Sequence, residues 1–261
     1  MDVVNFVKTN YIKNLLDKSI RSDSRGLYDF RPINIQANIM ENTEGSAQVD
    51  LGDTRILCGI KMQVEDTKED TPDEGNLIVS AELLPLASSQ FESGPPSADS
   101  IELARVVDRG IRAAQCIDLA DLLIEEKKAW TIFIDLYVLN YSGNLFDASY
   151  IAAMSALMNT KVPKYEDGKA VMEQRVKKLK VDNIVTSTTF AKINNKIILD
   201  PDENEEYVMD ARLTIATDKK NIRAIQKGLS GAFSSDEIKE LVDRSFEKHD
   251  LLKDYINSNT K

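Results

Sequence analysis

Three arginines recur within one short stretch of an acidic chain. Arg105, Arg109 and Arg112 lie in "SIELARVVDRGIRAA", whereas the whole chain of 261 residues has a formal net charge of −10. At about 100° per residue, a helix would place the three guanidinium groups within a sector of roughly 60°. Guanidinium groups donate paired hydrogen bonds to phosphate oxygens and stay protonated. A stripe of this kind can bind a polyanion. The alternative is a solvated helix face on which Glu102 and Asp108 pair with the arginines.

A glycine-containing turn between a strand and a helix is the second candidate site. The segment "AWTIFIDLYVLN" alternates apolar residues as a strand does, and "YSGNLFDASYIAAMSAL" continues into an alanine-rich helix. Free backbone amides at the start of such a helix can hold an anion. The alternative is plain helix capping by Ser142 or Asn144.

Few side chains remain for other catalytic chemistry. His249 is the only histidine, and we expect it at the surface. Cys58 and Cys116 are the two cysteines, so the sequence predicts neither a disulfide framework nor a histidine/cysteine metal site. No run approaches 18 apolar residues and the N-terminus interleaves charges, so we expect neither a signal peptide nor a membrane span but a cytoplasmic protein.

The remaining elements predict two halves of similar make-up. Alternating strands are joined by "LGDTR", the arginine helix continues through "CIDLADLLI", and a second set of strands turns at Asn194 and Asn195. A capped amphipathic helix, 234–255, closes the chain. The amphipathic N-terminal helix can pack on the chain's own sheet or on a neighbour, and we favour its own domain. The predicted divisions are an N-terminal helix and arm (1–24), a first domain (25–161), a crossover linker (162–182) and a second domain with the C-terminal helix (183–261).

Five ordered motifs carry a family resemblance from about Arg21 to the C-terminal helix. They are "SRGLYDFRPI", "GSAQVDLGDTRILCGIKMQV", "IELARVVDRGIR", "YSGNLFDASYIAAMSAL" and "IILDPDENEEYVMDARLTIATD". Together they resemble the RNase PH family, and in particular its non-catalytic archaeal exosome branch. The resemblance implies an α+β class with a duplicated β-α-β fold, similar to ribosomal protein S5 domain 2, in which mixed sheets pack with helices.

The resemblance also implies partners and a reaction. An active RNase PH-like subunit would pair with this chain, three such heterodimers would form a hexameric ring around single-stranded RNA, and RNA-binding cap subunits would top it. The family reaction is phosphorolysis, in which inorganic phosphate attacks the 3′-terminal phosphodiester and releases a nucleoside diphosphate. We expect no cofactor on this chain, with phosphate and Mg at the partner's active site.

Departures from the active pattern predict that this chain has no catalytic residues and no metal ligands of its own. Active members carry an arginine that grips phosphate in the turn, but the matching turn here reads Ser142-Gly143-Asn144-Leu145. Leucine offers no hydrogen-bond donor. The paired aspartates of active members are degenerate in "DENEEYVMD", where Glu205, Glu206 and Asp210 are expected in a solvated loop.

The arginine stripe gains a role from the same resemblance. It implies that Arg105 and Arg109 contact RNA phosphates near the partner's active site, and helix geometry adds Arg112 to the stripe. Two alternatives stay open. The chain could itself be an active phosphorolytic 3′–5′ exoribonuclease, or it could be a ribosomal-protein-like binding module, which would not need the second half.

Overall fold

The computed structural model describes residues 3–260, apart from the side chains of residues 3–8, 172 and 173. The elements in chain order are α1 (Val3–Asp17), β1 (Ile33–Ala37), β2 (Gly45–Leu51), β3 (Thr54–Asp66), β4 (Asn76–Leu83), α2 (Ala98–Ala113), β5 (Leu123–Glu125), β6 (Lys128–Asn140), α3 (Leu145–Met158), β7 (Lys161–Glu166), β8 (Lys169–Lys178), β9 (Thr186–Ile193), β10 (Lys196–Leu199), α4 (Glu203–Val208), β11 (Ala211–Thr217), β12 (Ile222–Gly228) and α5 (Ser235–Asn259). None of the helices in this described part is long and apolar enough to cross a membrane.

The first sheet has the strand order β1-β2-β3-β6-β4, and β5 pairs with β6. Strand β4 runs parallel to β6, and the other pairs are antiparallel. The alternation predicted for β6 is confirmed, because Ile132, Ile134 and Val138 are fully buried. Gly52, at φ +57°, lies in the predicted turn between β2 and β3. Helix α3 packs on β2 and β3, α2 packs on β4, and the two helices touch.

The second sheet has the order β10-β9-β11-β12 and is antiparallel throughout. Asn194 and Asn195 both have positive φ, 46° and 64°, and form the predicted turn between β9 and β10. Helix α5 begins after Ser234, which forms a reciprocal capping box with Glu237, and it packs on β9 and β11. The predicted α+β class, with mixed sheets and packed helices, is confirmed.

The junction between the two sheets is formed mainly by α3. Helix α3 lies against β2 and β3 of the first sheet and also against β9 and α5 of the second unit. Its alanines 148, 152, 153 and 156 are fully buried, and small side chains allow such close approach on several sides. The turn before α3 is therefore held between both units.

The N-terminal helix packs within its own chain, as favoured above. Ile12 and Leu16 of α1 are buried against Ala191 and Ile198 of the second sheet and against Val208 of α4. Residues 1 and 2 of the predicted N-terminal segment lie outside the described residues. The helix therefore belongs to the second unit in space although it comes first in the chain.

Three sequence predictions are wrong in their local structure. The segment 162–182 is not a plain linker, because β7 and β8 pair there as a two-stranded hairpin; its apolar pattern lapses because most of β8 faces solvent. The stretch "CIDLADLLI" forms only a single 3₁₀ turn, Ala120–Leu122, followed by β5. His249 is buried rather than at the surface: its Nδ1 lies 2.9 Å from the hydroxyl of Thr186, and burial lowers its pKa.

Candidate functional site

The arginine stripe lies on α2, where the sequence predicted it. Ser97 caps the helix by accepting a hydrogen bond from the backbone amide of Ser100. Leu103, Val107 and Ile111 are buried against the sheet, which leaves the arginines on the opposite, solvent-facing side. The packing face is thus fixed by apolar residues, and the arginines do not contribute to it.

Gly110 allows α2 to approach α3 closely. A Cβ atom at this position would collide with the phenol of Tyr150, whose hydroxyl donates to the carbonyl of Val106 at 2.6 Å. The glycine therefore does more than weaken the helix. It sets the position of α2, and with it the position of the arginines, relative to the turn before α3.

The three arginines differ in how firmly they are held. Arg112 donates to Asp108 at 2.9 Å and to the carbonyl of Leu77. Arg109 donates to the side-chain oxygen of Gln226 at 3.2 Å. Arg105 is exposed, and no carboxylate within the described part of the chain forms an ion pair with it. The alternative of a salt-bridged face thus holds for Arg112 alone.

The stripe borders a groove between α2 and the edge strand β4. This open groove has a volume of about 790 Å³, and Lys68 and Ile78 line it together with all three arginines. Glu102 does not neutralise the stripe, because it pairs instead with Arg212 of β11 at 2.8 Å. The groove therefore combines the guanidinium group of Arg105, which has no ion pair in the described part of the chain, with an accessible strand edge.

The turn before α3 is closed by its own helix cap. Asn144 is fully buried in the left-handed region at φ 52°, and its side chain accepts from the amide of Asp147. Gly143, at φ 88°, sits so close to Pro201 and Glu203 that a Cβ atom would collide with their backbone. The predicted alternative of capping by Asn144 is confirmed.

The anion at this turn is a carboxylate from the chain itself. The backbone amide of Asn144 donates to Glu206 at 2.9 Å, and the Tyr141 hydroxyl donates to the other oxygen of Glu206 at 2.6 Å. Burial, together with this carboxylate, raises the pKa of Tyr141 far above its usual value. An incoming phosphate would meet a negative charge where active members offer an arginine.

The acidic segment is folded rather than a solvated loop, which corrects the sequence prediction for Glu205 and Glu206. Both lie on α4, where Asp202 and Glu205 form a capping box. Glu205 is buried and accepts two hydrogen bonds from the guanidinium of Arg21, at 2.9 and 2.5 Å. Asp210 is exposed, as expected, and it accepts from the backbone amide of Asn194 at 2.8 Å. The hydrogen bonds of these acidic residues stabilise the fold.

A buried charge network around Asp200 was not predicted from the sequence. Asp200 is fully buried and pairs at 2.8 Å with both Arg25 and Arg31. Arg31 also donates to the carbonyls of Ser142 and Gly143, at 2.6 and 3.2 Å. Clustered arginines in "RSDSRGLYDFRPI" were the only local signal. The network fastens the turn to the second unit.

Asp147 extends this network beneath the turn. Its carboxylate accepts from the Ser187 hydroxyl at 2.6 Å, from the Thr189 amide at 2.8 Å and from the Asn144 side chain at 2.8 Å. Burial nonetheless raises its pKa to about 6, and the nearby charge of Asp200 adds to the effect.

Phosphate and metal ions do not fit this turn. The lining of the adjoining cleft, about 580 Å³, includes Asp99, Glu102, Glu203 and Glu206 against the single cation Arg212. Arg212 itself is held by Glu102 and stacks on the Phe146 ring at 4.3 Å. Among the described residues, no group of three or more His, Cys, Asp or Glu side chains could hold a metal ion. The geometry defines a two-unit α+β protein in which the turn before α3 is closed by a carboxylate of the chain itself.

Comparison with known families identifies the lineage. The RNase PH family, described as "3' exoribonuclease family", matches with its domain 1 over residues 29–163 and with its domain 2 over residues 183–248. The chain belongs to the RNase PH family of 3′ exoribonucleases, which confirms the resemblance.

Similar proteins narrow the comparison within the family. The chain is 43% identical to "Exosome complex component Rrp42" of Thermococcus kodakarensis over 98% of this chain and 96% of the relative, and 46% identical to that of Archaeoglobus fulgidus over 94% and 93%. Similarity of this extent confirms the predicted likeness to the non-catalytic exosome subunit. The chain is a non-catalytic member of its family, as Leu145 predicts.

Solved structures agree with this placement. A chain of "archaeoglobus fulgidus exosome with RNA bound to the active site" superposes with a TM-score of 0.90 at 43% identity, over 97% of this chain and 99% of that one. A chain of "Archaeal exosome core" gives 0.86 at 40% identity, over 97% and 98%. Rice Rrp46, at 15% identity and a TM-score of 0.71, shares the fold, with 92% of this chain and 100% of that chain covered.

Proposed function

We propose that this chain is a structural and RNA-binding subunit of an archaeal-type exosome, a 3′–5′ phosphorolytic exoribonuclease and RNA-tailing complex. It pairs with an active RNase PH-like subunit, and three such pairs form a hexameric ring that RNA-binding cap subunits complete in the cytoplasm. The support is near full-length similarity to Rrp42 proteins and to a chain of an archaeal exosome core.

Within this complex, Arg105 and Arg109 hold the RNA 3′ end near the partner's active site. The observation that carries this role is the state of their guanidinium groups: Arg105 has no ion pair in the described part of the chain, and Arg109 has only a neutral amide partner. Both can therefore meet phosphate without first breaking a salt bridge. Arg112 lies on the same stripe but must leave Asp108, so its share is smaller.

The face that carries the stripe is suited to assembly with a second subunit. Helix α2 packs against both β4 and β12, each of which is the edge strand of its sheet. Ile78 of β4 is 40% exposed, and Ile222 and Ile225 of β12 are 42% exposed. Unpaired strand edges with exposed apolar residues favour pairing with another chain. The arginines would then lie at the border of the subunit interface.

Catalysis belongs to the partner. Phosphate and Mg bind there, because the turn in this chain is occupied by Glu206 and lacks a donor at Leu145. We assign residues 1–24 to an N-terminal helix and arm, 25–161 and 183–261 to the two domains, and 162–182 to the crossover, which holds the β7–β8 hairpin.

The decisive experiment is reconstitution with an active RNase PH-like partner. Coexpression should yield a hexamer by native mass spectrometry, whereas the isolated chain should release no nucleoside diphosphate from RNA and phosphate. The Arg105→Gln/Arg109→Gln complex should assemble yet bind single-stranded RNA more weakly. Lys18→Gln/Lys239→Gln, which removes the same charge from two exposed positions elsewhere, is the control. Nucleoside diphosphate release by the isolated chain would instead support an active exoribonuclease.

A further inference from the structure

The hairpin formed by β7 and β8, residues 161–178, is a concentration of positive charge. We call it the basic hairpin. It carries six lysines and arginines against three acidic residues, a net charge of +3, within a chain whose net charge is −10. This hairpin was not anticipated from the sequence and has no part in the function proposed above.

The basic residues at the base of the hairpin have no acidic partner among the described side chains. Lys161 and Lys178 lie directly opposite each other in the β7–β8 ladder, and both are exposed. Like charges directly opposite in an antiparallel pair destabilise it. Among the side chains that the structure describes, no carboxylate forms an ion pair with Lys161, Lys177 or Lys178, whereas Lys164 is paired with Glu166 at 2.8 Å. An external anion would relieve this repulsion.

The hairpin is anchored to the first sheet. The amide of Lys161 donates to the carbonyl of Glu44 at 2.8 Å, and the amide of Leu179 donates to Thr160 at 2.8 Å. Arg175 donates to the carbonyls of Glu41 and Thr43, at 2.9 and 2.6 Å. Arg175 thus holds the hairpin in place, and Lys161, Lys177 and Lys178 project from a fixed base. Charges held in place cost less entropy to use than charges on a free loop.

We propose that the basic hairpin is a second RNA-contact surface, separate from the arginine stripe, that binds the phosphates of single-stranded RNA without regard to sequence. The choice of RNA as the polyanion rests on the function proposed above. Lysine suits this role because its ammonium is a point charge on a flexible stem and does not require the planar geometry of an arginine fork.

A polyanion fits the hairpin better than an acidic protein does. Protein interfaces have an apolar centre in which lysine is depleted. Among the described side chains of the hairpin, Val176 is the one large apolar group that is exposed, at 60%. The surface therefore offers charge without an apolar centre, which is the pattern of a phosphate-backbone contact.

The test uses the full chain assembled with an active partner. RNA binding is measured by fluorescence anisotropy with oligoadenylate and oligouridylate over a range of salt concentrations. The test variant is Lys161→Gln/Lys177→Gln/Lys178→Gln. The matched control is Lys18→Gln/Lys219→Gln/Lys239→Gln, which removes the same charge from exposed positions elsewhere. Arg105→Gln/Arg109→Gln is measured in parallel.

The hairpin variant should bind both RNAs about tenfold more weakly at about 0.1 M salt. The slope of log K against log salt should become shallower by about 2, since each of the three lost contacts with a single strand contributes about 0.7 to that slope. A Kd and slope equal to those of the control would overturn the proposal. Unchanged RNA binding with loss of a copurifying subunit would also overturn it, in favour of an acidic protein. If Arg105→Gln/Arg109→Gln left RNA binding unchanged, the role proposed for the arginine stripe would be overturned, but the proposal for the basic hairpin would not be affected.

Discussion

The arginine stripe on α2 and the turn before α3 are the two candidate anion sites of the sequence, and their hydrogen-bond donors have different partners in the structure. On α2, Arg105 is exposed and has no ion pair among the described residues, and Arg109 donates a hydrogen bond to the neutral side chain of Gln226. At the turn, the amide of Asn144 is bound to Glu206, and its side chain is bound to Asp200 and Asp147. The first region leaves Arg105 and Arg109 without a carboxylate partner among the described residues, and the second region satisfies its donors internally.

This difference shows how burial changes what a polar group requires of its surroundings. A buried turn cannot leave its polar groups unpaired, because each unpaired group would cost about 1–3 kcal/mol. At the turn before α3, the donors of Asn144 are therefore bound by Glu206, Asp147 and Asp200 of the chain itself. An exposed stripe is under no such demand, because water solvates its charges.

We call the turn before α3 and the charge network around Asp200 the closed region, and the arginine stripe the open region. The largest expected effect comes from breaking the network of the closed region. Asp200→Asn would leave Arg25 and Arg31 without their buried counter-charge, and removal of one partner from such a network costs about 3–5 kcal/mol. We expect that loss in the free energy of unfolding from urea titrations. The matched control is Asp50→Asn, because the partner of Asp50, Arg55, is 50% exposed, and the expected loss there is below about 1 kcal/mol. Equal losses in the two variants would show that the network is no more important than a surface pair.

The next effect is on the open region and concerns RNA affinity. Arg105→Glu/Arg109→Glu should weaken RNA binding and degradation by the assembled complex, with each lost phosphate contact costing about 1–3 kcal/mol. Phosphate contacts carry no sequence information, so the loss should be similar for different single-stranded RNAs, and the salt dependence should become shallower. Native mass spectrometry must show that the variant still assembles. Unaltered binding and degradation would return the stripe to a solvated surface.

A smaller effect follows from Asp147, which makes the network beneath the turn before α3 sensitive to pH. Its pKa of about 6 in the folded chain lies above the ordinary value of 3.8, so the folded state holds more protons than the unfolded state between these values. The contribution of Asp147 to stability is therefore greatest near pH 4 and falls by about 2–3 kcal/mol as the pH rises to 7.

Two measurements check this pH dependence. Carboxyl NMR should place the midpoint of Asp147 near pH 6. The stability difference between the unmodified chain and Asp147→Asn should grow as the pH falls from 7 to 4, because the variant lacks the titrating group. A midpoint below 4 together with a constant difference would contradict the assignment.

The sequence predicted the open region well because its signal is local. Helical spacing alone places Arg105, Arg109 and Arg112 on one side of α2, and the alternation of β6 defines the strand beside it. The absence of a side-chain hydrogen-bond donor at Leu145 could also be read directly from the sequence.

The closed region could not be predicted because its partners are distant in the chain. Arg31 and Asp200 are 169 residues apart, and Asn144 and Glu206 are 62 apart. No local pattern pairs them, so Glu205 and Glu206 resembled solvated acids. His249 was misplaced for the same reason, since its partner Thr186 lies on β9 and its own helix pattern tolerates either face. The basic hairpin was not predicted from the sequence, because its strands bury little apolar surface.

The smallest expected effect is the result of restoring the clamp residue. An arginine at position 145 would enter a cleft that it shares with Glu203 and Glu206. A carboxylate within the same cleft would pair with the new guanidinium and leave little charge for phosphate. Leu145→Arg alone should therefore neither bind phosphate by isothermal titration calorimetry nor degrade RNA. Adding Glu206→Gln should give measurable phosphate binding, whereas adding Glu203→Gln should not, because Glu206 alone is bound to the turn amide. Robust phosphate-dependent degradation by the Leu145→Arg chain would show that the carboxylate does not close the turn.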